Sequence, residues 1–325
     1  MAKIMSRRKL MAVGFLSILI LLLGCVKEST DKQTIMLILD SQETYYSQII
    51  DEGVAAALSE YNDVSILKRV PEKANDSEQQ NKYLEEAIDL GVKTIVFSAV
   101  DIKKSQNELN AIEKKGINLI LIDSFLSEPY QYDYIGTNNK EAGELAGIAL
   151  IQTVGTEAKI GVLNFEEETI SSQEKEKEQA FYRFIDQFPT IEIIAKKVSW
   201  SDSETVQLLA EEMLNKYPEM EAIIAFNEQT TIGAGRAVKS KKLQKKVAVI
   251  GFDSQKECIE LLENESISAL IAQNPFAIGY LSIQKALNPN SNKKISDPIF
   301  TEVELVTKKN MYQSNKEKFL FPFSY

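Results

Sequence analysis

The stretch Val247-Ala-Val-Ile-Gly-Phe-Asp253, an apolar run that ends in a carboxylate, decides the fold of this chain. The stretch Asn118-Leu-Ile-Leu-Ile-Asp123 has the same form about 130 residues earlier. Short apolar runs without a polar interruption are typical of strands that are buried on both faces of a parallel sheet. The two stretches therefore predict equivalent strands in two similar lobes, each followed by an aspartate.

The sequence around the earlier stretch alternates apolar strands with amphipathic helices. Two further strands and two helices are predicted at Ile35–Leu39, Thr94–Phe97, Gln79–Leu90 and Ile102–Lys115. Gly91 and Gly116 follow the two helices, and glycine is the expected stop because it enters the left-handed region cheaply. This alternation predicts an α/β fold with helices on both faces of a parallel sheet.

The same pattern recurs in the second half of the chain. The strands that match the three earlier ones, at offsets of about 125 to 130 residues, are Ile160–Asn164, Ala222–Phe226 and Val247–Asp253. The repeat predicts two doubly wound parallel-sheet lobes, and ligands of such sheets bind beyond the carboxyl ends of the strands. The functional candidates are thus the polar residues that follow strands: Asp40 to Tyr46, Ser98, Asp123, Asn164, Asn227 and Asp253.

Composition excludes many classes of function. The 325 residues suit two domains, and the net charge of −10 argues against a nucleic-acid partner. The chain has no histidine, which excludes Ser-His-Asp and Cys-His catalysis and His-ligated metals. Its two cysteines exclude zinc ribbons, iron–sulfur clusters and a disulfide framework. We therefore expect neither an enzyme nor a bound cofactor or metal.

The first 24 residues have the proportions of a signal peptide. A basic stretch, Lys3 to Lys9, precedes the apolar run Leu10 to Leu23, which is too short for a comfortable transmembrane helix. The segment Leu22-Leu23-Gly24-Cys25 resembles the lipobox of bacterial lipoproteins, whose cysteine becomes the first mature residue and carries a diacylglycerol thioether. We expect a lipidated Cys25, a tether over residues 25–33 and attachment to the extracytoplasmic face of the cell membrane. The alternative is an uncleaved anchor helix. A lipidated Cys25 leaves Cys258 without a partner, as a small buried apolar group on a helix.

Five segments in chain order resemble the type I periplasmic binding proteins, above all their ribose- and galactose-binding sugar receptors. They are Asn118–Asp123, Tyr134-Ile-Gly-Thr-Asn-Asn139 with Ala142-Gly143, Ala222–Glu228, Val249–Asp253 and Ala272-Gln-Asn-Pro275. The resemblance runs from about Thr34 to Thr307. Transcription factors related to the lactose repressor share this core, but they begin with a helix-turn-helix where this chain has a signal peptide.

The resemblance implies a sugar that is clamped between the two lobes. The residues that fall on the ligand-binding positions of the family are Tyr46, Asp123, Lys177, Trp200, Asn227, Asp253 and Gln273. Carboxylates and amides bind paired hydroxyls bidentately, and aromatic rings cover the C–H faces of a sugar. Two family arginines are replaced by Ser124 and Lys177, and lysine lacks the planar fork of arginine. This departure weakens the case for an ordinary aldohexose or ribose and leaves a small polar ligand.

Each candidate also has a structural interpretation, in which the side chain serves the fold. Asp123 could cap a loop at the end of its strand, and Trp200 could pack in the core. Asn227 could be a turn residue, and Gln273 could make a hydrogen bond in the hinge. Tyr45 and Tyr46 would divide the work, one on the ligand and one in the core. Lys177 lies in Glu174-Lys-Glu-Lys-Glu178, a pattern typical of a solvated helical face with i,i+4 ion pairs.

The resemblance further implies a hinge that the chain crosses three times, near Thr137, Asn274 and Glu302. The first lobe would hold residues 34–137 and 275–302, and the second would hold 138–274 and 303–325. A ligand that binds the closed form more tightly shifts the open–closed equilibrium, as is known for this family. The aromatic tail Phe319–Tyr325 is expected to pack back on a lobe or to dock a partner.

These inferences favour a monomeric solute receptor that delivers a sugar or sugar-like molecule to an ABC importer, with permease and ATPase as separate chains. The alternative is a ligand sensor that presents its lobes to a membrane histidine kinase. Gene neighbourhood separates the two, because permease genes favour import and kinase genes favour sensing.

Overall fold

A computed structural model describes residues 33–40, 44–73, 76–124, 132–165, 172–199, 202–288 and 297–321. The strands in these ranges are β1 (Gln33–Ile38), β2 (Val64–Arg69), β3 (Thr94–Phe97), β4 (Asn118–Ile122), β5 (Asp133–Thr137), β6 (Ala158–Phe165), β7 (Ile191–Ser199), β8 (Ala222–Ala225), β9 (Ala248–Phe252), β10 (Ala269–Ala272), β11 (Ile299–Thr301) and β12 (Glu304–Val306). The helices are α1 (Tyr45–Leu58), α2 (Ser77–Leu90), α3 (Gln106–Lys115), α4 (Asn139–Val154), α5 (Ser172–Ile185), α6 (Ser203–Lys216), α7 (Glu228–Ser240), α8 (Lys256–Glu263), α9 (Pro275–Leu287) and α10 (Ser314–Leu320). None of these helices is long and apolar enough to span a membrane. The predicted signal peptide, Cys25 and nearly all of the tether lie outside the described residues.

The strands form two six-stranded sheets of the same design. The first sheet has the order β11-β5-β4-β3-β1-β2, and the second has the order β12-β10-β9-β8-β6-β7. Where the pairing is described, neighbours run parallel, except that β12 runs antiparallel to β10. The prediction of an α/β fold with two doubly wound, mainly parallel sheets is confirmed.

Each sheet is buried on both faces, which explains the unbroken apolar strands. In β1, Ile35 and Leu37 belong to one hydrophobic cluster, and Met36 and Ile38 belong to the cluster on the other face. The strands β8 and β9 divide between two clusters of the second sheet in the same way. Because successive side chains point to opposite faces, a strand between two cores has no polar position.

The helices divide between the sheets to give two lobes. Helices α1, α2, α3 and α9 pack with the first sheet, and α4 to α8 and α10 pack with the second. Within the described residues the chain passes between the lobes three times, after β5, after β10 and between β11 and β12. These passages lie beside Thr137, Asn274 and Glu302, where the resemblance implies a hinge.

Helix α2 ends as the sequence predicts, but α3 begins later than predicted. Gly91 follows α2 with a φ of 65°, in the left-handed region. Helix α3 begins at Gln106, so the prediction of a helix from Ile102 was wrong. The carboxylate of Asp101 accepts the backbone N–H of Lys103 at 3.0 Å and so holds the intervening residues in a turn.

Two predictions about the second lobe are confirmed. Cys258 lies on α8 with no exposed surface, has no disulfide partner among the described residues, and has a thiol pKa raised well above its ordinary value by burial. Phe319 and Leu320, at the start of the aromatic tail, are buried in the core of this lobe. The last four residues of the tail lie outside the described residues.

Helices α1 and α9 touch backbone to backbone. A Cβ on Gly279 would lie 2.0 Å from the carbonyl oxygen of Ile50, and a Cβ on Gly53 would lie 2.1 Å from that of Phe276. These distances are far shorter than any van der Waals contact, so the approach requires glycine on both helices. The contact fixes the position of α1, which begins with Tyr45 and Tyr46.

Replacing Gly279 with alanine is expected to lower the free energy of unfolding by about 1–3 kcal/mol or more, because the new methyl group must push α1 and α9 apart. Equilibrium unfolding in urea measures this loss. The matched control is Gln48→Ala on the exposed side of α1, which should stay within about 0.5 kcal/mol of the natural protein. An unchanged Gly279→Ala protein would contradict the close contact.

Candidate functional site

Two aspartates occupy equivalent positions in the two lobes. Asp123 follows β4 and donates its backbone N–H to Ile135 at 3.0 Å, while Asp253 follows β9 and donates to Ile271 at 3.2 Å. Both have a positive φ, 40° and 72°, which is uncommon outside glycine but tolerated by aspartate. In each lobe an aspartate therefore follows a central strand of the sheet. It lies at the carboxyl ends of the parallel strands, which is the edge where such sheets bind ligands.

Lys177 brings a positive charge to both aspartates. Its side chain is only 6% exposed, and its ammonium lies 5.2 Å from the ring centre of Phe252. Burial raises the pKa of Asp123 and of Asp253, and the charge of Lys177 counteracts part of each rise. The alternative of a solvated helical face was therefore wrong for this residue. The side chain of Lys177 is instead buried near Asp123 and Asp253, where the sequence predicts the binding site.

A close helix contact explains how Lys177 becomes buried. A Cβ on Gly143 of α4 would lie 2.2 Å from the carbonyl oxygen of Lys177 on α5. With glycine there, α5 lies directly against α4. The contact places the Lys177 side chain over the end of β9, beside Asp253.

Tyr45 and Tyr46 both reach the site. The hydroxyl of Tyr46 lies 3.5 Å from that of Thr137, and its ring packs on the core of the first lobe. Burial, and next to it the charge of Asp123, raise its pKa well above the ordinary tyrosine value. Burial and the charge of Glu228 raise the pKa of Tyr45. Both tyrosines line the cavity, and Tyr46 also packs against the core, so a division of work between ligand and core stays a prediction.

Asn227 and Gln273 each combine a structural hydrogen bond with a place at the site. Asn227 caps α7, and its Oδ1 accepts the N–H of Thr230 at 3.0 Å. Its Nδ2 is buried and has no partner among the described residues. The Nε2 of Gln273 donates to Asp253 Oδ1 at 2.5 Å and so orients that carboxylate.

Ser124 is absorbed by the fold. Its hydroxyl accepts the N–H of Ala99 at 2.7 Å and donates to the carbonyl of Ile122 at 2.9 Å. The first bond ties the end of β4 to the end of the neighbouring strand β3, and the second lies within the end of β4. The Ser124 hydroxyl is therefore used within the fold and does not replace the family arginine as a ligand-binding group. The predicted site residue Trp200 lies outside the described residues.

Glu228 is a buried cleft residue that the sequence reasoning did not select. It is the first residue of α7, its side chain is 8% exposed, and its Oε2 has no hydrogen-bond partner among the described residues. Burial, and next to it the charge of Asp253, raise its pKa to about 7. The sequence signal that could have identified Glu228 is its position directly after Asn227, where the resemblance implies an aspartate.

Side chains from both lobes line a small cavity between them. Its lining consists of Tyr45, Tyr46, Glu228, Asp253, Ser254, Gln273 and Pro275. Three buried atoms around it have no partner among the described residues, and they are Asp123 Oδ1, Asn227 Nδ2 and Glu228 Oε2. Buried polar atoms are normally paired, so this set is suited to a small ligand with several hydrogen-bonding groups. The described residues hold no group of three or more acidic or cysteine side chains that could bind a metal ion.

Comparison with known proteins gives a consistent result. Residues 35–292 match the model of the family described as periplasmic binding protein domain. The ribose import binding protein of Bacillus subtilis (strain 168) is 26% identical over 235 residues, which are 72% of this chain and 75% of that protein. These matches confirm the family that the five sequence segments indicate.

Two solved structures have the same fold over nearly their whole length. One is an ABC transporter solute binding protein from Agrobacterium vitis with bound D-fucose, with a TM-score of 0.79, 27% identity, and coverage of 88% of this chain and 99% of that one. The other is a carbohydrate transporter solute binding protein from Agrobacterium radiobacter in complex with D-arabinose, with a TM-score of 0.79, 23% identity, and coverage of 90% and 100%. At 23% identity, the similarity to the Agrobacterium radiobacter protein shows a shared fold and nothing further.

The raised pKa of Glu228 predicts a stability that falls with increasing pH. Between about pH 4.5, near the unfolded pKa, and about pH 7, the folded state binds more protons than the unfolded state, so the free energy of unfolding decreases as pH rises. Glu228→Gln should remove up to about 3 kcal/mol of this decrease. A decrease from Asp123 and Asp253 should persist, because their pKa values are also raised.

Urea unfolding at pH 5, 6, 7 and 8 measures this effect without a ligand. The matched control is Glu85→Gln, whose side chain is exposed on α2 and which should leave the pH profile as it is. A Glu228→Gln protein with the same profile as the natural one would contradict the burial of this carboxyl group.

Proposed function

The chain belongs to the type I periplasmic binding proteins, and from this membership we propose that it is an extracytoplasmic receptor that captures a sugar or sugar-like molecule and delivers it to an ABC importer. Proteins of this family bind their ligand and do not catalyse a reaction on it, so the prediction of a non-enzymatic protein is confirmed. The observation that carries the proposal is the convergence of unpartnered buried polar atoms from both lobes on one cleft.

The chemistry of the cleft supports a polyhydroxylated ligand. Asp123 and Asp253 can accept hydrogen bonds from hydroxyl groups of a ligand. Asn227 Nδ2 can donate a hydrogen bond to it, and the ammonium group of Lys177 is a charged donor. Hydrogen bonds to charged partners contribute about 1.5–3 kcal/mol each, so a few of them suffice for micromolar binding. The names of the relatives support the same ligand class, since one imports ribose and one was solved with bound D-fucose.

The proposed roles follow the position of each side chain. Tyr46, with Tyr45 beside it, covers a C–H face of the ligand from the first lobe. Trp200 covers the other face from the second lobe, as the resemblance implies. Gln273 acts through Asp253, because it holds one carboxylate oxygen and leaves the other for the ligand. Lys177 binds as a point charge, without the bidentate fork of an arginine.

Ligand binding is proposed to close the two lobes, 34–137 with 275–302 and 138–274 with 303–325. The binding groups come from both lobes, so the complete set exists only when the lobes are together. A ligand that contacts both sets binds the closed form more tightly and shifts the equilibrium toward it. Closure presents the loaded state to the membrane partner. A kinase sensor would use the same cleft and differ only in that partner.

A thermal-shift screen of the soluble chain from Val26 tests the receptor function. A ligand at a hundred times its dissociation constant adds about 2.7 kcal/mol to the stability, which is several degrees for lobes of this size. The panel holds aldoses, ketoses, polyols and nucleosides. A shift with one of them supports the receptor and identifies the ligand class, whereas no shift with any of them contradicts a sugar receptor.

Asp253→Asn is expected to weaken binding of the ligand found in that screen by about 10- to 100-fold, because a charged acceptor becomes a neutral one. Asparagine tolerates the positive φ at this position, so the protein should keep its fold. Isothermal titration calorimetry measures the dissociation constant. Asp63→Asn on the exposed surface is the matched control and should bind as the natural protein does. An unchanged constant in Asp253→Asn would remove Asp253 from the site.

Cys25 is proposed to carry the lipid that holds the receptor at the extracytoplasmic face of the membrane. Two acyl chains anchor a protein stably where one does not. Cys25→Ser should therefore leave the protein unprocessed and without lipid, and mass spectrometry of the detergent-extracted protein measures both changes. Cys258→Ser is the matched control, because Cys258 is buried in the second lobe and should not affect the anchor. Lipid on the Cys25→Ser protein would refute the assignment.

A further inference from the structure

The buried carboxylates of the cleft outnumber its buried ammonium groups. Asp123 and Glu228 are nine-tenths or more buried, Asp253 is partly exposed, and Lys177 is the positive charge that acts on the two aspartates. Both influences on Glu228, its burial and the charge of Asp253, disfavour its ionised form. The carboxyl group of Glu228 therefore lies in the cleft without a compensating positive charge from Lys177.

A second buried glutamate in the same lobe shows what a satisfied carboxylate looks like in this protein. Glu178 accepts hydrogen bonds from Asn164 Nδ2 at 2.9 Å, from the hydroxyl of Tyr182 at 2.5 Å and from Lys196 Nζ at 2.6 Å. Buried charges are normally paired in this way, because an unpaired one costs several kcal/mol. Glu178 is thus a structural residue.

Glu228 has no such set of partners. Its Oε1 accepts only a long bond of 3.4 Å from the side chain of Gln229, and its Oε2 is buried with no partner among the described residues. The side chain lines the cavity, with the two tyrosines and Asp253 as neighbours. An unpaired acceptor that faces a ligand cavity indicates that its partner arrives with the ligand.

We propose that the ligand carries an ammonium group, as in an amino sugar, and that Glu228 binds this group in the cleft. The inference rests on the receptor function proposed above and narrows its ligand class. An ammonium group compensates the excess of carboxylates, and it donates three hydrogen bonds of the charge-assisted type. The faces of Tyr45 and Tyr46 add a favourable environment for a cation.

Calorimetry at pH 7 with matched sugars tests the inference. The probes are the 2-amino, 3-amino and 6-amino derivatives of D-glucose and of D-galactose, each compared with its parent sugar and, for the 2-amino compounds, with the uncharged N-acetyl form. At least one amino sugar should bind about tenfold or more tightly than its parent, because a charge-assisted hydrogen bond is about twice as strong as a neutral one.

Glu228→Gln should abolish this preference, whatever its effect on the binding of the parent sugar itself. Glutamine keeps the size of the side chain, and thermal unfolding checks that the variant is folded. Glu85→Gln on α2 is the matched control and should keep the preference.

Three outcomes overturn the inference. If parent sugars bind as tightly as amino sugars, Glu228 pairs with a neutral hydroxyl, and the receptor function stands without a cationic ligand. If the preference for an amino sugar survives in Glu228→Gln, another residue binds the ammonium group. If no member of any pair binds, the inference fails, and the thermal-shift screen decides the receptor function separately.

Discussion

The ammonium group of Lys177 acts on carboxylates from both lobes, and the arrangement of the cleft depends on this shared charge. Asp123 belongs to the first lobe and Asp253 to the second, and burial would disfavour the ionised form of each without a nearby cation. The same interaction that keeps the two carboxylates available as acceptors also links the lobes electrostatically.

Two helix contacts at glycine set the geometry of this charge arrangement. Gly279 allows α9 to lie against the backbone of α1, which carries the tyrosines, and Gly143 allows α4 to lie against the backbone of α5, which carries Lys177. The tyrosines at the start of α1 and Lys177 within α5 therefore stand on helices that are fixed by close packing. Such placement holds side chains more firmly than an exposed loop would.

The substitutions at the two family arginine positions have different consequences. Ser124 has turned inward and ties two strand ends together, so the first lobe contributes one fewer cation to the cleft. Lys177 keeps a positive charge at the second position. The cleft therefore has one cation fewer than the family pattern implies, and Glu228, whose side chain lines the cavity, keeps a carboxylate in it. A cationic ligand group is the simplest compensation for this imbalance.

The sequence by itself determined the two-lobe α/β fold and the positions of Asp123 and Asp253. Strand periodicity, glycine stops and the repeat are local features, and a residue directly after a buried parallel strand must lie at the ligand edge of the sheet. Only the tertiary structure decided between alternatives that share one local pattern. The run from Glu174 to Glu178 has the same charge pattern whether it is solvated or buried, and the contact of α5 with Gly143 on another helix makes Lys177 buried. The bond of Ser124 to Ala99, and the lack of a partner for Glu228 Oε2 among the described residues, likewise depend on atoms that are distant in the chain, because burial and hydrogen bonding are properties of packing between elements.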